Sequence, residues 1–478
     1  MRSTILSTVF VSCTWLAAVA CGAAGSNADD GERAGSAGAP IASAGSAGSS
    51  AGNSAAGADS GGGGASTAGT GGEMVSAGSG GASAGAGGSG GGTIDAHGGI
   101  VGPTGLIHPG ILVDQDMLDF VKAKITAGGA PWKAALAMVS SDSMGSLSYK
   151  AKPRATVECG PSSMPDNGCT DEKNDVIAAY THALIWAYTG DQKHAAKAIE
   201  IMNAWSAVLK QHTNDNQQLQ AAWAAEIFPR AAEIIRYTNA GWSAADAEKF
   251  STMLKTAYLP EVKDGSTRTG NWDTSAIEAA MNIAIFTDDM VEFKKAVALW
   301  RARTPAYVYL TSDGPLPVQP PRESAKSDAS LKSYWFNPKK FVDGLIQETC
   351  RDTPGSGTAG FGHAQYGVAA IINAAETAGI QGVDLFSAEQ KRLSAMLELH
   401  AGYLNKYPKG VPPDLCSATI AGVQADPMWD IGYNAYANVL KLPLPETAKL
   451  MLKIRPTEAT HHMAWETLTH GDIGAAGL

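Results

Sequence analysis

Residues 175–209 read DVIAAYTHALIWAYTGDQKHAAKAIEIMNAWSAVL. Val176, Ile177, Ala179, Tyr180, Ala183, Leu184, Ala187 and Tyr188 recur every three to four residues, the spacing of one face of an α-helix. Thr189-Gly190-Asp191 interrupts the pattern. Glycine suits the left-handed end of one helix, and aspartate suits the N-cap of the next. A second helix follows, with Ala195, Ile199, Met202, Trp205 and Leu209 on its apolar face. Two such helices across a tight turn make an antiparallel hairpin.

The pattern continues along the chain. Helices are expected over Leu219–Tyr237, Ser243–Leu259, Thr274–Phe286, Asp289–Arg301, His363–Ala378, Ser387–Leu404 and Trp429–Leu440, with Ser243 as an N-cap. Regular strand alternation is nearly absent. The fold class is therefore all-α, a succession of helical hairpins. No strict repeat length demands a solenoid, and a closed or partly closed ring, an α/α toroid, accounts for the hairpins equally well. Longer irregular stretches at Gly265–Asp273, Thr304–Pro338 and Arg351–Gly362 are candidate functional loops.

The N-terminal fifth is different. Met1-Arg2 precedes an apolar run, Ile5–Ala20, of the length of an export signal. Ala18-Val19-Ala20-Cys21 resembles a bacterial lipobox, which implies lipidation of Cys21; an ordinary secretory cut near Ala20 is the alternative. About half of the 55 glycines then fall between Gly22 and Gly102, in a stretch of mostly Gly, Ala and Ser. Such a segment has little to bury and cannot offset the entropy of ordering its backbone. About 80 flexible residues span some 50 Å. The expected organisation is a signal peptide over 1–20, a disordered tether over 21–102 and a folded domain over 103–478. An outer-membrane or cell-surface lipoprotein fits this layout, with periplasmic or secreted protein as the alternative.

Four cysteines remain in the folded part: Cys159, Cys169, Cys350 and Cys416. An even number in an exported chain favours disulfides, and four allow three connectivities. Cys159 and Cys169 flank a loop of turn formers, so a local bridge is expected, leaving Cys350 for Cys416. The net charge is −10, which argues against nucleic acid as a general partner. The only membrane contact expected is the lipid anchor, and the domain is expected to act as a monomer.

Three segments place polar residues at the mouth of an apolar helix: Thr269–Ser275, Gln347–Asp352 with Gly362–Tyr366, and Thr460–Thr467. His108-Pro109-Gly110, Ala232–Tyr237, Gly270-Asn271-Trp272, Glu348-x-x-Arg351-Asp352 with His363, Gly382–Phe386 and Met463–His470 stand in an order that resembles the alginate lyase superfamily over almost all of Leu106–His470. That resemblance implies an α/α toroid that cleaves uronic-acid polysaccharides by β-elimination, without cofactor or metal. An acidic polysaccharide would be the partner.

Elimination removes the proton beside a uronate carboxylate. Donors that neutralise this carboxylate make the dianionic intermediate accessible. The resemblance implies Asn271 as a neutraliser, with Arg351 and His363 beside it. Two assignments of the proton transfer stay open: His363 is the base, or His363 neutralises while a tyrosine, Tyr366 or Tyr307, moves the proton. Trp223 and Trp272 are candidates to stack on sugar rings. Arg230, Glu348, Asp352 and His462 are candidate substrate contacts; Arg236 is either a further carboxylate contact or a structural residue paired to Glu233. His461 and His462 with Glu466 are the nearest approach to a metal set. Two other readings compete. A glycoside hydrolase would need two cleft carboxylates, Glu348 with Asp352 or Asp273. A glycan-capturing lipoprotein would keep the groove and lack the base.

Overall fold

The computed structural model describes residues 93–268, 270–321, 325–351, 360–406, 414–416 and 424–478. The expected signal peptide, Cys21, the tether up to residue 92, and Asp352 lie outside the described residues. Short strands β1 (Ile100–Val101) and β2 (Ile107–His108) pair at the start, followed by α1 (Gln115–Thr126) and α2 (Trp132–Ser141). Strands β3 (Thr156–Cys159), β4 (Asp166–Asn167) and β5 (Gln211–Thr213) form a small sheet around α3 (Cys169–Thr189) and α4 (Gln192–Val208). Then come α5 (Gln217–Tyr237), α6 (Ala244–Met253), α7 (Leu259–Val262), α8 (Gly270–Phe286), α9 (Met290–Tyr307) and α10 (Asp328–Tyr334). The last third holds α11 (Gly360–Ile380), α12 (Leu385–Ala388), α13 (Gln390–Lys406), α14 (Asp430–Tyr433) and α15 (Pro445–Ile454). A hairpin of β6 (Ala459–Thr460) and β7 (Met463–Ala464) leads into α16 (Glu466–His470).

The expected hairpins form where turn chemistry announced them. Gly190 ends α3 at φ +73°, and Asp191 caps α4 by accepting from Lys193 N at 3.0 Å. Ser243 caps α6 by accepting from Asp246 N at 3.1 Å. Helices α3, α5, α8 and α11 pack side by side as an inner layer. Contacts near both ends fix their direction. Gln220 donates to Cys169 O while Thr238 accepts from Trp186; Arg230 meets Glu278 while Arg236 meets Phe286; Gly367 lies against Asn271 while Asn373 meets Glu278. All four inner helices therefore run parallel, and the helices between them return outside, as in an α/α toroid. Among the described residues no helix is long and apolar enough to cross a membrane.

Several elements depart from expectation. The expected helix over 243–259 is α6, a π-helical turn (Leu254–Tyr258) and α7 in series. Helices α1, α2, α10, α15 and α16 are additional. The largest departure is α8, which begins at Gly270 and takes Asn271–Ser275 into its first turns. The first amides of a helix need acceptors. Here Gln347 Oε1 accepts from Gly270 N and Glu348 Oε2 from Asn271 N, both at 2.9 Å.

Both expected disulfides are present, Cys159–Cys169 and Cys350–Cys416. Beside the first, buried Glu172 accepts from His212, Tyr258 and Gln220 at 2.7–2.9 Å.

The inner layer is pinned at its centre by a buried guanidinium. Arg230 on α5 donates through Nη2 to Glu278 on α8 and through Nη1 to His462 O in the β6–β7 hairpin, at 2.9 Å. With the Asn373 amide turned to suit, its oxygen accepts from Arg230 Nη2 at 3.1 Å, which adds α11 to the junction. Glu226, one turn before Arg230, is fully buried. Burial, then the neighbouring Glu278, push its pKa well above the carboxylate range, so it is a neutral acid.

Two predictions follow from this burial. Glu226→Gln keeps a neutral amide in place of a neutral acid and is expected to leave stability within about 1 kcal/mol, whereas Arg230→Met strands Glu278 and costs about 3–5 kcal/mol. Chemical denaturation of the two variants checks the contrast; equal losses would refute a neutral Glu226. Burial also holds His182 and His462 at about 3 and His400 at about 4, so all three are folded as neutral rings. Their unfolded-state pKa is about 6.5, so between about pH 6.5 and 4 the unfolded chain binds more protons and stability is lost on acidification. His400→Gln should reduce the slope of unfolding free energy against pH in that window by about one proton.

Candidate active site

Because the inner helices are parallel, the N-termini of α3, α5, α8 and α11 share one end of the ring. Unpaired amides and the helix dipole make such an end favourable for anions. The expected site residues Asn271, His363, Tyr366 and Trp223 all lie in the first two turns of their helices there.

Asn271 and Arg351 are brought together by one carboxylate. Glu348 Oε2 accepts from Asn271 N at 2.9 Å, and Oε1 accepts from Arg351 Nη1 at 3.0 Å. All three side chains are buried. Glu348, expected as a substrate contact, has both oxygens engaged here, one by the backbone N–H of Asn271 and one by the Arg351 guanidinium. Helix α11 passes close above, since a Cβ on Gly367 would lie 3.5 Å from Asn271 Cα. That places Tyr366, the preceding residue, next to this cluster.

Tyr366 sits in an aromatic cluster. Its ring centroid is 4.9 Å from His461, 5.9 Å from Trp223 and 6.1 Å from His363. His461 also meets Trp223 edge-on at 4.6 Å, and its Nδ1 pairs with Thr460 Oγ1 at 3.0 Å. The Trp223 indole N–H is buried without a partner among the described residues. It is a donor suited to a sugar hydroxyl.

Both hairpin histidines meet the Tyr366 ring, His461 at 4.9 Å and His462 edge-on at 5.9 Å, and His461 also meets Trp223. His462 is fully buried; its Nε2 donates to Tyr366 O at 3.0 Å, and its Nδ1 lies 3.3 Å from Glu226. Held at about 3 mainly by burial, it is a neutral ring. Its place is beneath the site, supporting the first turns of α11. The sequence signal available was the His461-His462 doublet itself; the two residues form the turn between β6 and β7, with His461 in the left-handed region at φ +49°.

Other candidates are redirected to the core. Arg230 is bound to Glu278 and to the His462 carbonyl at mid-height in α5, seven residues beyond Trp223 from the helix N-terminus. Trp272 is fully buried with the Arg268 guanidinium 4.1 Å from its ring centroid, which takes its face away from any sugar. Tyr307 donates to Asp273 Oδ2 at 2.5 Å, and burial followed by neighbouring Tyr334 and Asp273 raise its pKa well above 10, which makes it a poor base. Asp273 also accepts from Arg303 and Ser266 N at 2.6 Å. With Glu348 and Asp273 engaged in this way, the hydrolase pair loses the described members on which it rested. Arg236 does not pair with Glu233. Glu233 instead accepts from His108 Nδ1 at 3.0 Å and Gly110 N at 3.1 Å, while Arg236 donates to Phe286 O. Glu466 accepts from Asp430 N and Ile431 N, apart from the two histidines. Among the described residues, no three His, Cys, Asp or Glu side chains gather as a metal set.

A search of curated proteins finds no match. Among solved structures, a variant of alginate lyase A1-III complexed with tetrasaccharide superposes with a TM-score of 0.53 at 13% identity, covering 76% of this chain and 95% of that one. A second variant of the same lyase with tetrasaccharide gives 0.51 at 13% identity, covering 76% and 94%, and its apo form gives 0.52 at 12%, covering 75% and 94%. These likenesses establish the toroid fold. The family model described as alginate lyase matches residues 169–409, half of the chain, from the first inner helix to just past α13. The chain therefore belongs to the alginate lyase family and is a polysaccharide lyase.

Proposed function

We propose that this domain cleaves a uronic-acid polymer, alginate (polymannuronate) or the related glucuronan, by metal-independent β-elimination at the mouth of the inner helices. The observation that carries the reading is the joining of Asn271 and Arg351 on Glu348 beside the His363–Tyr366 turn. The amide of Asn271 and the guanidinium of Arg351 engage the uronate carboxylate. Neutralising it lowers the cost of the carbanion that forms when the C5 proton leaves. A buried, helix-positive environment strengthens both contacts. The C4–O4 bond then breaks, and the leaving oxygen takes a proton.

His363 and Tyr366 lie three residues apart on α11, one turn of the same face. In the first assignment His363 removes the C5 proton. In the second His363 completes the neutralising set, and Tyr366 removes the proton and returns it to the leaving oxygen. Trp223 offers its indole N–H and ring edge to the bound sugar.

The amino-terminal reading belongs to the same proposal. Cys21 carries the lipid, residues 21–102 act as a tether, and the domain works as a monomer outside the membrane it is tied to. The two disulfides are compatible with export. Metabolic labelling with a radioactive fatty acid should mark the full chain and not Cys21→Ser.

Incubation with polymannuronate, polyguluronate and glucuronan in turn should produce the ultraviolet absorbance of a conjugated C4–C5 double bond with at least one polymer. Failure with all three would overturn the elimination reading. Asn271→Ala is expected to lower kcat by about 10²–10³. The proton work is separated by two further variants: His363→Ala inactive with Tyr366→Phe active selects the first assignment, and inactive Tyr366→Phe with partial His363→Ala activity selects the second. Near-normal rates in all three variants would refute the site.

A further inference from the structure

Two residues before α8 begins, Arg268 projects across the mouth toward α5. Its guanidinium lies flat enough on Trp272 to bring Cζ within 4.1 Å of the ring centroid. Two terminal N–H groups reach Asp215, two residues before α5: Nη2 to Oδ1 at 2.9 Å and Nη1 to Oδ2 at 3.2 Å. The backbone of Arg268 is held at both ends of the residue, with N donating to Ser266 Oγ and O accepting from Tyr334 OH, each at 3.1 Å. Unlike Arg230 and Arg351, this side chain is open to solvent, 30% exposed, as is Asp215 at 36%.

A guanidinium has five N–H donors, and Asp215 takes two of them. Three remain uncommitted among the described residues. Stacking on Trp272 limits the rotamers that must be fixed when a second carboxylate arrives, so the fork is ready for bidentate recognition. A polyuronate presents a carboxylate on every sugar. Asn271 and Arg351 account for one of them.

Building on the elimination reading, we propose that Arg268 is a second carboxylate subsite, binding a uronate one or more sugars away from the scissile bond. Asp215 stands where a substrate carboxylate would bind and competes with it. It keeps the fork oriented when the groove is empty and yields or shares it when an acidic polymer enters. A salt bridge serving only to join α5 and α8 would behave differently, because loss of either partner would then have the same effect.

The test measures both binding and turnover for wild type, Arg268→Gln, Arg268→Lys and Asp215→Asn. The probes are polymannuronate, polyguluronate and glucuronan, with a neutral glucan as control. Arg268→Gln is expected to weaken polyuronate binding and raise KM about tenfold while kcat changes less than about threefold. Arg268→Lys should recover only part of the loss, since it keeps the charge and not the fork. Asp215→Asn should tighten binding severalfold. Unchanged KM in Arg268→Gln overturns the subsite and leaves the lyase reading intact. Equal weakening by Arg268→Gln and Asp215→Asn, with matching falls in melting temperature, also overturns it. Arg268-dependent binding without any unsaturated product keeps the subsite and overturns the lyase reading. No polyuronate binding at all overturns both.

Discussion

The structure depends on how one buried cation is satisfied. Arg230 is nearly inaccessible and sits at mid-height in α5, where an unpaired guanidinium would be prohibitively costly. Its partners come from α8, from the β6–β7 hairpin and, through Asn373, from α11. Satisfying it thus requires three inner helices and the C-terminal hairpin to be in register at once. Register at this level sets register two turns nearer the N-termini, at Trp223, Asn271 and Tyr366, where the Trp223 and Tyr366 rings meet. The hairpin, drawn in by His462 O, delivers the His461 ring between Trp223 and Tyr366.

The acidic balance of the chain is not a contradiction for a lyase of acidic polymers. Charge matters locally, and the buried carboxylates of the inner helices and of the Gln347–Arg351 segment are already committed. Glu226 is neutral, Glu278 faces Arg230, Glu348 faces Arg351 and the Asn271 amide, and Asp273 faces Arg303 and Tyr307. What the mouth offers an anion is the set of helix N-termini and the donors those carboxylates hold in place.

Much of the architecture was legible because the inner and outer helices carry local signals. Gly190-Asp191 and Ser243 specify their own turns and caps, and apolar spacing specifies the faces between them. The α8 start was not legible, because its caps come from Gln347 and Glu348, 77 residues away in sequence. The site was legible by residue type but not by depth. Arg230, Trp272 and His462 have the chemistry of a cleft residue, yet each is sealed by a partner that no local pattern announces: Glu278, Arg268 and the Tyr366 carbonyl. Asn271, Arg351 and Tyr366 differ from them only in where their partners leave them.

The segment from Gln347 to Arg351 shows how a non-helical stretch can be made rigid enough for catalysis. Each of its five residues is fastened to something different. Gln347 and Glu348 take the first two amides of α8; Thr349 Oγ1 meets His400 Nε2 on α13 at 2.9 Å; Cys350 is bonded to Cys416; and Arg351 closes back on Glu348. A loop is ordinarily the least ordered place to hold a neutralising cation, because its backbone has no ladder of its own. Here the ladder is replaced by side-chain and covalent ties to three separate elements. A disulfide one residue before the guanidinium is a tie that persists in an oxidising compartment. The proposed export and the proposed role of Arg351 would therefore support each other, across some 330 residues from Cys21.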